Sequence, residues 1–286
     1  ITSVSFPFRG PGTRVAYLEY GNSNIIVVDW GIIAFLPYPA ASKSVLMVGQ
    51  YVSKMIEFLE GRGMSLSQLT IVGHSLGAHV AGLSGYHVKN EVNYIVALDP
   101  ALPLFSNHPP GKRVSYEDAK YVEVIHTNGG HLGFLAPLGH VDYYPNGGDK
   151  QLGCIIDPGG ACSHLRAYLY YAESINTNLG FLSARCDNYP AFLLGLCKKP
   201  TSLMGGAVPK YSAKNKYYLT TNARSPYARV DRASLSWTGD VYKLTKQIET
   251  TASSWPFSST KTTLSRPGNL PCIPGILLRI QSNRSA

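Results

Sequence analysis

The sequence predicts an α/β protein with a mostly parallel central sheet and helices on both faces. Short apolar runs of strand length alternate along the chain with longer segments whose apolar residues recur at helical spacing. Such alternation implies right-handed crossover connections between parallel strands. The chain has 286 residues, of which 44% are hydrophobic, so it is long enough to bury one large core. We therefore expect a single α/β domain.

The predicted strands are continuous apolar runs, which are typical of strands buried on both faces of a parallel sheet. They cover residues 24–30, 69–72, 92–98, 121–126 and 217–221. One predicted helix begins with Ser42 as its cap and ends at Gly61, and its apolar stripe indicates a face that packs in the core. A second predicted helix covers residues 163–177, with Ser163 as its cap.

The C-terminal part of the chain differs from the rest in composition. Residues 229–286 are basic and rich in Ser, Thr and Pro, and we predict that they form a mostly disordered tail. Residues 209–286 hold 12 of the 26 basic and 3 of the 17 acidic residues, so 14 of each remain in residues 1–208. The net charge of +9 therefore belongs to the C-terminal part. Because no basic cluster is interleaved with aromatic residues, we expect no nucleic-acid partner, while a weak attraction of this part to anionic lipid surfaces stays open.

The cysteines favour an oxidising compartment and a secreted protein. They stand at positions 154, 162, 186, 197 and 272, without a CxxC pair or a zinc-like arrangement of histidines. We predict two local disulfides, Cys154 with Cys162 and Cys186 with Cys197. Cys272 is then left for an intermolecular bond or a free thiol, or it reflects an error in the sequence. The chain has no apolar stretch of about 20 residues, as a membrane span requires, and no signal-peptide pattern at its start.

The segment that points to chemistry is Gly-His-Ser-Leu-Gly at residues 73–77. In a GxSxG turn between a strand and a helix, the serine occupies a strained corner where its hydroxyl is exposed above the sheet. The pentapeptide alone also fits an ordinary structural turn. Here an apolar strand precedes it and a helix with a small-residue face follows it, so Ser75 is the candidate nucleophile.

A serine nucleophile needs a histidine as base and a carboxylate to orient that histidine. Asp99 directly follows a predicted strand, where reacting groups gather in open α/β sheets, and it follows Ser75 in the chain. Asp29 also ends a strand but precedes Ser75, which favours a structural role. The candidate bases after Asp99 are His108, His126, His131, His140 and His164. His164 stands out because it opens a predicted helix just after Cys162, although spacing alone leaves the choice open.

Several motifs in a consistent order resemble the pancreatic lipase family, especially its insect neutral lipase and phospholipase A1 branch. The matching segments are IVVDW at 26–30, VGHSLGAHVAG at 72–82, LDPA at 98–101, VIHTN at 124–128, GHVDYYPNGG at 139–148, ACSHLRAY at 161–168 and YYLTTNA at 217–223. The resemblance covers residues 15–228, whereas residues 1–14 match nothing in the family. It implies an α/β-hydrolase fold that lacks its first strands, and a triad of Ser75, Asp99 and His164.

The resemblance assigns further roles. The disulfide between Cys154 and Cys162 closes the family's lid, which here holds only seven residues and leaves the site open to bulky polar head groups, as in the phospholipases. The oxyanion hole uses the backbone N–H of Leu76 and a second N–H from an upstream His-Gly-aromatic segment that this sequence lacks. We therefore expect an N-terminal truncation or a faulty gene model.

The resemblance is incomplete in two further regions. Arg113 and Asp118 match the family's calcium loop, but Pro110 and Ser115 stand where carboxylates would be, so we expect no bound metal. The C-terminal lipid-binding β-sandwich of vertebrate members has no counterpart in residues 229–286, so we expect no colipase partner.

The sequence therefore predicts a secreted carboxylic ester hydrolase of the phospholipase A1 type that cleaves lipid esters without a cofactor. Its expected partners are the lipid ester substrate and a lipid surface. The alternative is a catalytically inactive lipid-binding or yolk-type storage protein on the same fold, because fold does not imply function.

Overall fold

The computed structural model describes residues 12–229 and 275–281. The strands in this part are β1 Ser23–Val28, β2 Leu69–His74, β3 Tyr94–Leu98, β4 Tyr121–Ile125, β5 Val141–Pro145, β6 Phe181–Arg185, β7 Lys198–Met204, β8 Asn215–Leu219 and β9 Ile276–Gln281. The α-helices are α1 Thr13–Tyr20, α2 Gly31–Ala34, α3 Tyr38–Glu60, α4 Leu76–His87, α5 Ala161–Asn176 and α6 Tyr189–Leu193. Residues 1–11, Cys272 and most of the predicted tail lie outside the described residues.

The strands form one sheet in the order β1-β9-β2-β3-β4-β5-β8-β6-β7. Strands β2, β3, β4, β5 and β8 are parallel neighbours. Within the described residues, only β9 and β6 run against this direction. Helices α3 and α4 pack on one face of the sheet, and α1 and α5 pack on the other. The predicted α/β-hydrolase class, with a mostly parallel sheet and helices on both faces, is confirmed.

Strand β9 corrects the prediction of a disordered tail for residues 276–281. It lies between β1 and β2 and is antiparallel to both. Ile276 and Leu278 are buried in the core on one face of the sheet, and Leu277 is buried on the other. A short apolar run that packs on both faces gains enough burial to form a central strand, even though the composition around it favours disorder. A segment of the C-terminal part thus completes the sheet between β1 and β2.

Both predicted helix starts are corrected by a few residues. Helix α3 begins at Tyr38 after Pro37, because proline is well tolerated in a first turn, and the Ser42 hydroxyl donates to the Pro39 carbonyl inside the helix. Helix α5 begins at Ala161. Its cap is the carboxylate of Asp157, which accepts the N–H groups of Cys162 at 2.7 Å and Ser163 at 3.0 Å.

We expect Leu278→Ala to lower the free energy of unfolding by about 2–5 kcal/mol, because it leaves a cavity in a central strand. Leu278 is 0% exposed and pairs with Ile71 of β2. Urea denaturation measures the loss. The control is Leu193→Ala, at a side chain that is 64% exposed, where the change should stay within about 0.5 kcal/mol. Equal effects of the two substitutions would show that β9 is not part of the stable sheet.

Candidate active site

The turn between β2 and α4 holds Ser75 in a strained backbone conformation, with φ 59° and ψ −124°. A side chain on Gly73 would overlap the backbone of Gly77, so this corner requires glycine. The Ser75 N–H donates to the Leu98 carbonyl at 3.0 Å, and the Ser75 carbonyl accepts the Ala101 N–H at 3.3 Å. These bonds fasten the turn to the loop that follows β3.

Asp99 lies in that loop, directly after β3, and is 0% exposed. Its Oδ1 accepts two backbone N–H groups, from Thr127 at 2.8 Å and from Asn128 at 3.0 Å. Its Oδ2 is 2.5 Å from Nδ1 of His164. Because both carboxylate oxygens act as acceptors, Nδ1 of His164 donates to Asp99, and the other ring nitrogen, Nε2, is left to act as a base.

His164 lies in the first turn of α5, two residues after Cys162, which forms the predicted disulfide with Cys154. Its backbone carbonyl accepts a hydrogen bond from Nε2 of His74 at 2.9 Å, and the two imidazole rings are 4.5 Å apart. The structure therefore brings Asp99 and His164 together and places His164 against the residue before Ser75. Within residues 12–229 and 275–281, the Ser75 hydroxyl makes no hydrogen bond to His164.

Two buried histidines support this region in their neutral form. Burial, with a smaller contribution from the neighbouring His164, lowers the pKa of His74 from 6.5 to about 3. Burial also lowers the pKa of His79 to about 3. The Nε2–H of His79 donates to the Ala101 carbonyl at 2.7 Å, while Nδ1 accepts the Val114 N–H at 3.2 Å. A proton added to His79 would enter a buried ring whose two nitrogens are both hydrogen-bonded already. A proton added to His74 would enter a buried ring that lies beside His164.

These two pKa values predict a loss of stability in acid. Because His74 and His79 stay neutral in the folded protein down to about pH 3, the unfolded chain binds more protons from about pH 6.5 downward. The free energy of unfolding then falls with pH by up to about 1.4 kcal/mol per unit for each histidine. Asp118 acts in the opposite sense, because burial raises its pKa from 3.8 to about 7, and its contribution is lost as the pH rises through that range.

Urea denaturation at pH 7 and pH 5 measures this dependence. In the variant His79→Gln, the amide can still donate to Ala101 and accept from Val114, but it does not titrate. We expect its stability to depend less steeply on pH than that of the wild type, by up to about 1.4 kcal/mol per unit. Equal slopes for the two proteins would contradict the buried neutral state of His79.

The remaining aspartate and histidine candidates take no part in the Asp99–His164 contact. Asp29 accepts the Gly31 N–H at 2.9 Å, in a turn before α2. His140 accepts the Val122 N–H at 3.1 Å, and His108 packs on Phe105 with the rings 5.5 Å apart. His131 is exposed. His126 is buried and contacts Asp142 instead of Asp99.

The segment that resembles a calcium loop does not fit a metal site. The Asp118 carboxylate is occupied by Ser115, whose N–H donates at 2.7 Å and whose hydroxyl donates at 3.3 Å. Arg113 donates to the backbone carbonyls of His108 and Val114. No group of three His, Cys, Asp or Glu side chains among the described residues is arranged to hold a metal ion. Asp118 therefore caps a short turn instead of supplying a calcium ligand.

Gly275, the residue before β9, lies next to the Ser75 turn. The sequence pattern did not indicate that the C-terminal part of the chain reaches this place. The His74 N–H donates to the Gly275 carbonyl at 3.1 Å. A Cβ on Gly77 would lie 2.5 Å from the same oxygen. Leu76, the predicted oxyanion donor, is the first residue of α4, where backbone N–H groups have no partner within the helix. The free N–H groups of α4 and the start of β9 thus lie side by side.

Two loops near the site are closed by disulfides and expose apolar side chains. Between Cys154 and Cys162, Ile155 is 94% exposed and Ile156 is 86% exposed. The second predicted disulfide, between Cys186 and Cys197, is also present in the structure. Its loop contains α6 and exposes Leu193, Leu194 and Leu196. Within the described residues, no helix is both long and apolar enough to cross a membrane.

Comparisons with known proteins identify the family of this chain. A family model described as Lipase matches residues 14–227. Pancreatic triacylglycerol lipase of Homo sapiens is 37% identical over 238 residues, which cover 72% of this chain and 51% of that protein. Lipase member H-B of Xenopus laevis is 36% identical over 188 residues, which cover 63% and 41%. The chain thus spans about half the length of the curated relatives it matches. With its sheet, its serine turn and its Asp-His pair, this chain belongs to the lipase family, as the resemblance to pancreatic lipases predicted.

Proposed function

We propose that this chain is a carboxylic ester hydrolase that removes acyl chains from lipids by a Ser75, His164 and Asp99 mechanism. The observation that carries the proposal is the buried contact of 2.5 Å between Asp99 and His164, beside the strained turn of Ser75. Membership of the lipase family supports it, and so do relatives named triacylglycerol lipase and lipase. No cofactor takes part.

The reaction proceeds by acyl transfer to the serine. Ser75 Oγ attacks the acyl carbonyl while Nε2 of His164 takes its proton, and Asp99 stabilises the resulting imidazolium. The Leu76 N–H stabilises the negative oxygen of the tetrahedral intermediate. His164 then gives the proton to the leaving glycerol oxygen, and the ester bond breaks. Water attacks the acyl-serine with His164 again as base, which releases the fatty acid and restores Ser75.

The bond between Ser75 and His164 forms when substrate binds. Catalytic hydrogen bonds are often long or absent in free enzymes and tighten in the complex. Ser75 Oγ has no competing partner among the described residues, so its hydroxyl is available to donate to Nε2. The bond from His74 to the His164 backbone holds the base in place meanwhile.

The short lid favours polar lipids, as in a phospholipase A1. With only seven residues between Cys154 and Cys162, the loop is too short for a helical flap that would shield a large apolar site. Two disulfides also favour a secreted protein. We expect hydrolysis of phospholipid to exceed that of triglyceride, and similar rates on monomeric and aggregated substrate. A large rise in rate on aggregation would contradict the open site.

The second candidate is a catalytically inactive lipid-binding or yolk-type storage protein. One observation favours it: within the described residues, the Ser75 hydroxyl makes no hydrogen bond to His164. A fluorophosphonate probe distinguishes the two functions, because it reacts only with an activated serine. We expect one label per chain, mapped to Ser75 by mass spectrometry, and none on heat-denatured protein. Folded protein that stays unlabelled would establish the inactive alternative.

A further inference from the structure

We infer that His126 and Asp142 form a buried hydrogen-bonded pair that positions the catalytic acid Asp99. The inference rests on the proposed function, because it assigns a role to residues that touch neither the substrate nor the reacting atoms. His126 directly follows β4, and Asp142 lies within the neighbouring parallel strand β5. They are therefore positioning residues and not catalytic ones.

The Asp99 carboxylate is enclosed by two backbone segments. The first contains Thr127 and Asn128, whose N–H groups both donate to Oδ1. The second contains Gly133, which lies so close that a Cβ there would overlap the carboxylate. The orientation of Asp99, and with it the hydrogen bond to His164, depends on where these two segments lie.

His126 joins the two segments. It directly precedes Thr127 in the chain, and its Nδ1 is 2.6 Å from the carbonyl of Phe134, the residue after Gly133. Its ring stacks on Tyr144 with the centroids 4.5 Å apart and the planes 4° from parallel. The Tyr144 hydroxyl donates to the Leu135 carbonyl at 3.0 Å, which fixes the second segment again. One imidazole thus sets the distance between the two walls around Asp99.

The hydrogen bonds of the pair show what a substitution would break. Oδ1 of Asp142 lies 2.8 Å from His126 Nε2 and accepts the Leu138 N–H at 2.9 Å, and Oδ2 accepts the Gly139 N–H at 3.2 Å. The Phe134 carbonyl can only accept, so Nδ1 of His126 donates to it. An asparagine at position 142 keeps one acceptor oxygen and places an NH₂ group where the other oxygen stood, so one of these contacts is lost.

The variant Asp142→Asn tests the role of the pair. We expect kcat for lipid ester hydrolysis to fall by about 10²-fold, as when supporting groups let a catalytic group shift by about 1 Å, while KM changes by less than about threefold. The rate constant for inactivation by a fluorophosphonate should fall by a similar factor. The control is Tyr94→Phe, which removes a buried hydrogen bond of 2.9 Å from the first residue of β3 to Glu123 in the middle of β4. It should lower stability and leave kcat unchanged.

A second measurement needs no variant and covers the case in which Asp142→Asn fails to fold. Nitrogen-15 NMR of the wild type should show that Nδ1 of His126 carries a hydrogen, as its bond to the Phe134 carbonyl requires. A His126 ring without a hydrogen on Nδ1 would overturn this link between the two segments. The positioning role would be overturned if a folded Asp142→Asn variant kept the wild-type kcat. It would also be overturned if Asp142→Asn and Tyr94→Phe lowered kcat by the same factor. If the wild type neither hydrolyses lipid nor reacts with the probe, the proposed function is refuted instead. The NMR result would then still test the hydrogen bonds of His126.

Discussion

The variant Ser75→Ala is expected to lower kcat for lipid ester hydrolysis by about 10⁵- to 10⁶-fold, because the acyl-serine intermediate can no longer form. The structure gives alanine no obstacle, since the Ser75 hydroxyl makes no hydrogen bond within the described residues and the positive φ at this position is kept by the surrounding backbone bonds. Stability should therefore change little. The measurement is steady-state hydrolysis of a phospholipid, with urea denaturation of the same sample.

The control for Ser75→Ala is Ser84→Ala in the same helix region. Ser84 is buried, but its hydroxyl donates to the Val80 carbonyl inside α4, away from the turn. Its replacement should leave kcat within about twofold of the wild type. The serine mechanism would be refuted if Ser75→Ala kept more than about one hundredth of the wild-type rate. Trace wild-type enzyme in the sample and direct attack by water both give far lower rates.

The second large effect is expected for Asp99→Asn, which should lower kcat by about 10⁴-fold. Thr127 and Asn128 both donate to Oδ1, so the oxygen of the asparagine must take that position. Its NH₂ group then faces Nδ1 of His164, where a donor already stands. To avoid two opposed donors, the imidazole moves its hydrogen to Nε2 and loses the lone pair that accepts the proton of Ser75.

The matched control is Asp29→Asn, the same substitution at the carboxylate that ends β1. Asp29 accepts the Gly31 N–H through Oδ1 alone, and the oxygen of an asparagine can make the same bond. Its kcat should stay close to that of the wild type. Equal losses at the two positions would mean that Asp99 acts only on stability, and an unchanged kcat for Asp99→Asn would remove the acid from the mechanism. When Ser75 is already replaced by alanine, adding Asp99→Asn should have almost no further effect on kcat.

Local pattern was sufficient for the parts of the site that depend on neighbours in the chain. Ser75 lies in its predicted strand-turn-helix because the small residues around it permit a backbone that few other sequences allow. Asp99 directly follows a strand, as its position in the motif indicated. Both close disulfides also form as predicted, since eight and eleven residues separate the partners in the chain. In each case the information lies within about a dozen residues.

The same reasoning missed contacts that join distant segments. The backbone N–H groups that donate to Asp99 come from Thr127 and Asn128, and no pattern near position 99 indicates them. His126 was judged by its surroundings in the chain, yet the structure pairs it with a carboxylate sixteen residues away. The signal that could have found these residues was the VIHTN segment itself, which places a histidine and two polar residues at the end of a central strand.

The sequence by itself determined the fold class, the family, the GxSxG turn and five of the nine strands in the described residues, because periodicity, turn chemistry and motifs are local properties of the chain. Only the tertiary structure decided that residues 276–281 complete the sheet between β1 and β2, and which histidine meets Asp99. The physical reason is that strand pairing and buried hydrogen bonds join groups far apart in sequence. Whether such a group is satisfied depends on what the fold brings beside it, and composition alone carries no record of that neighbour.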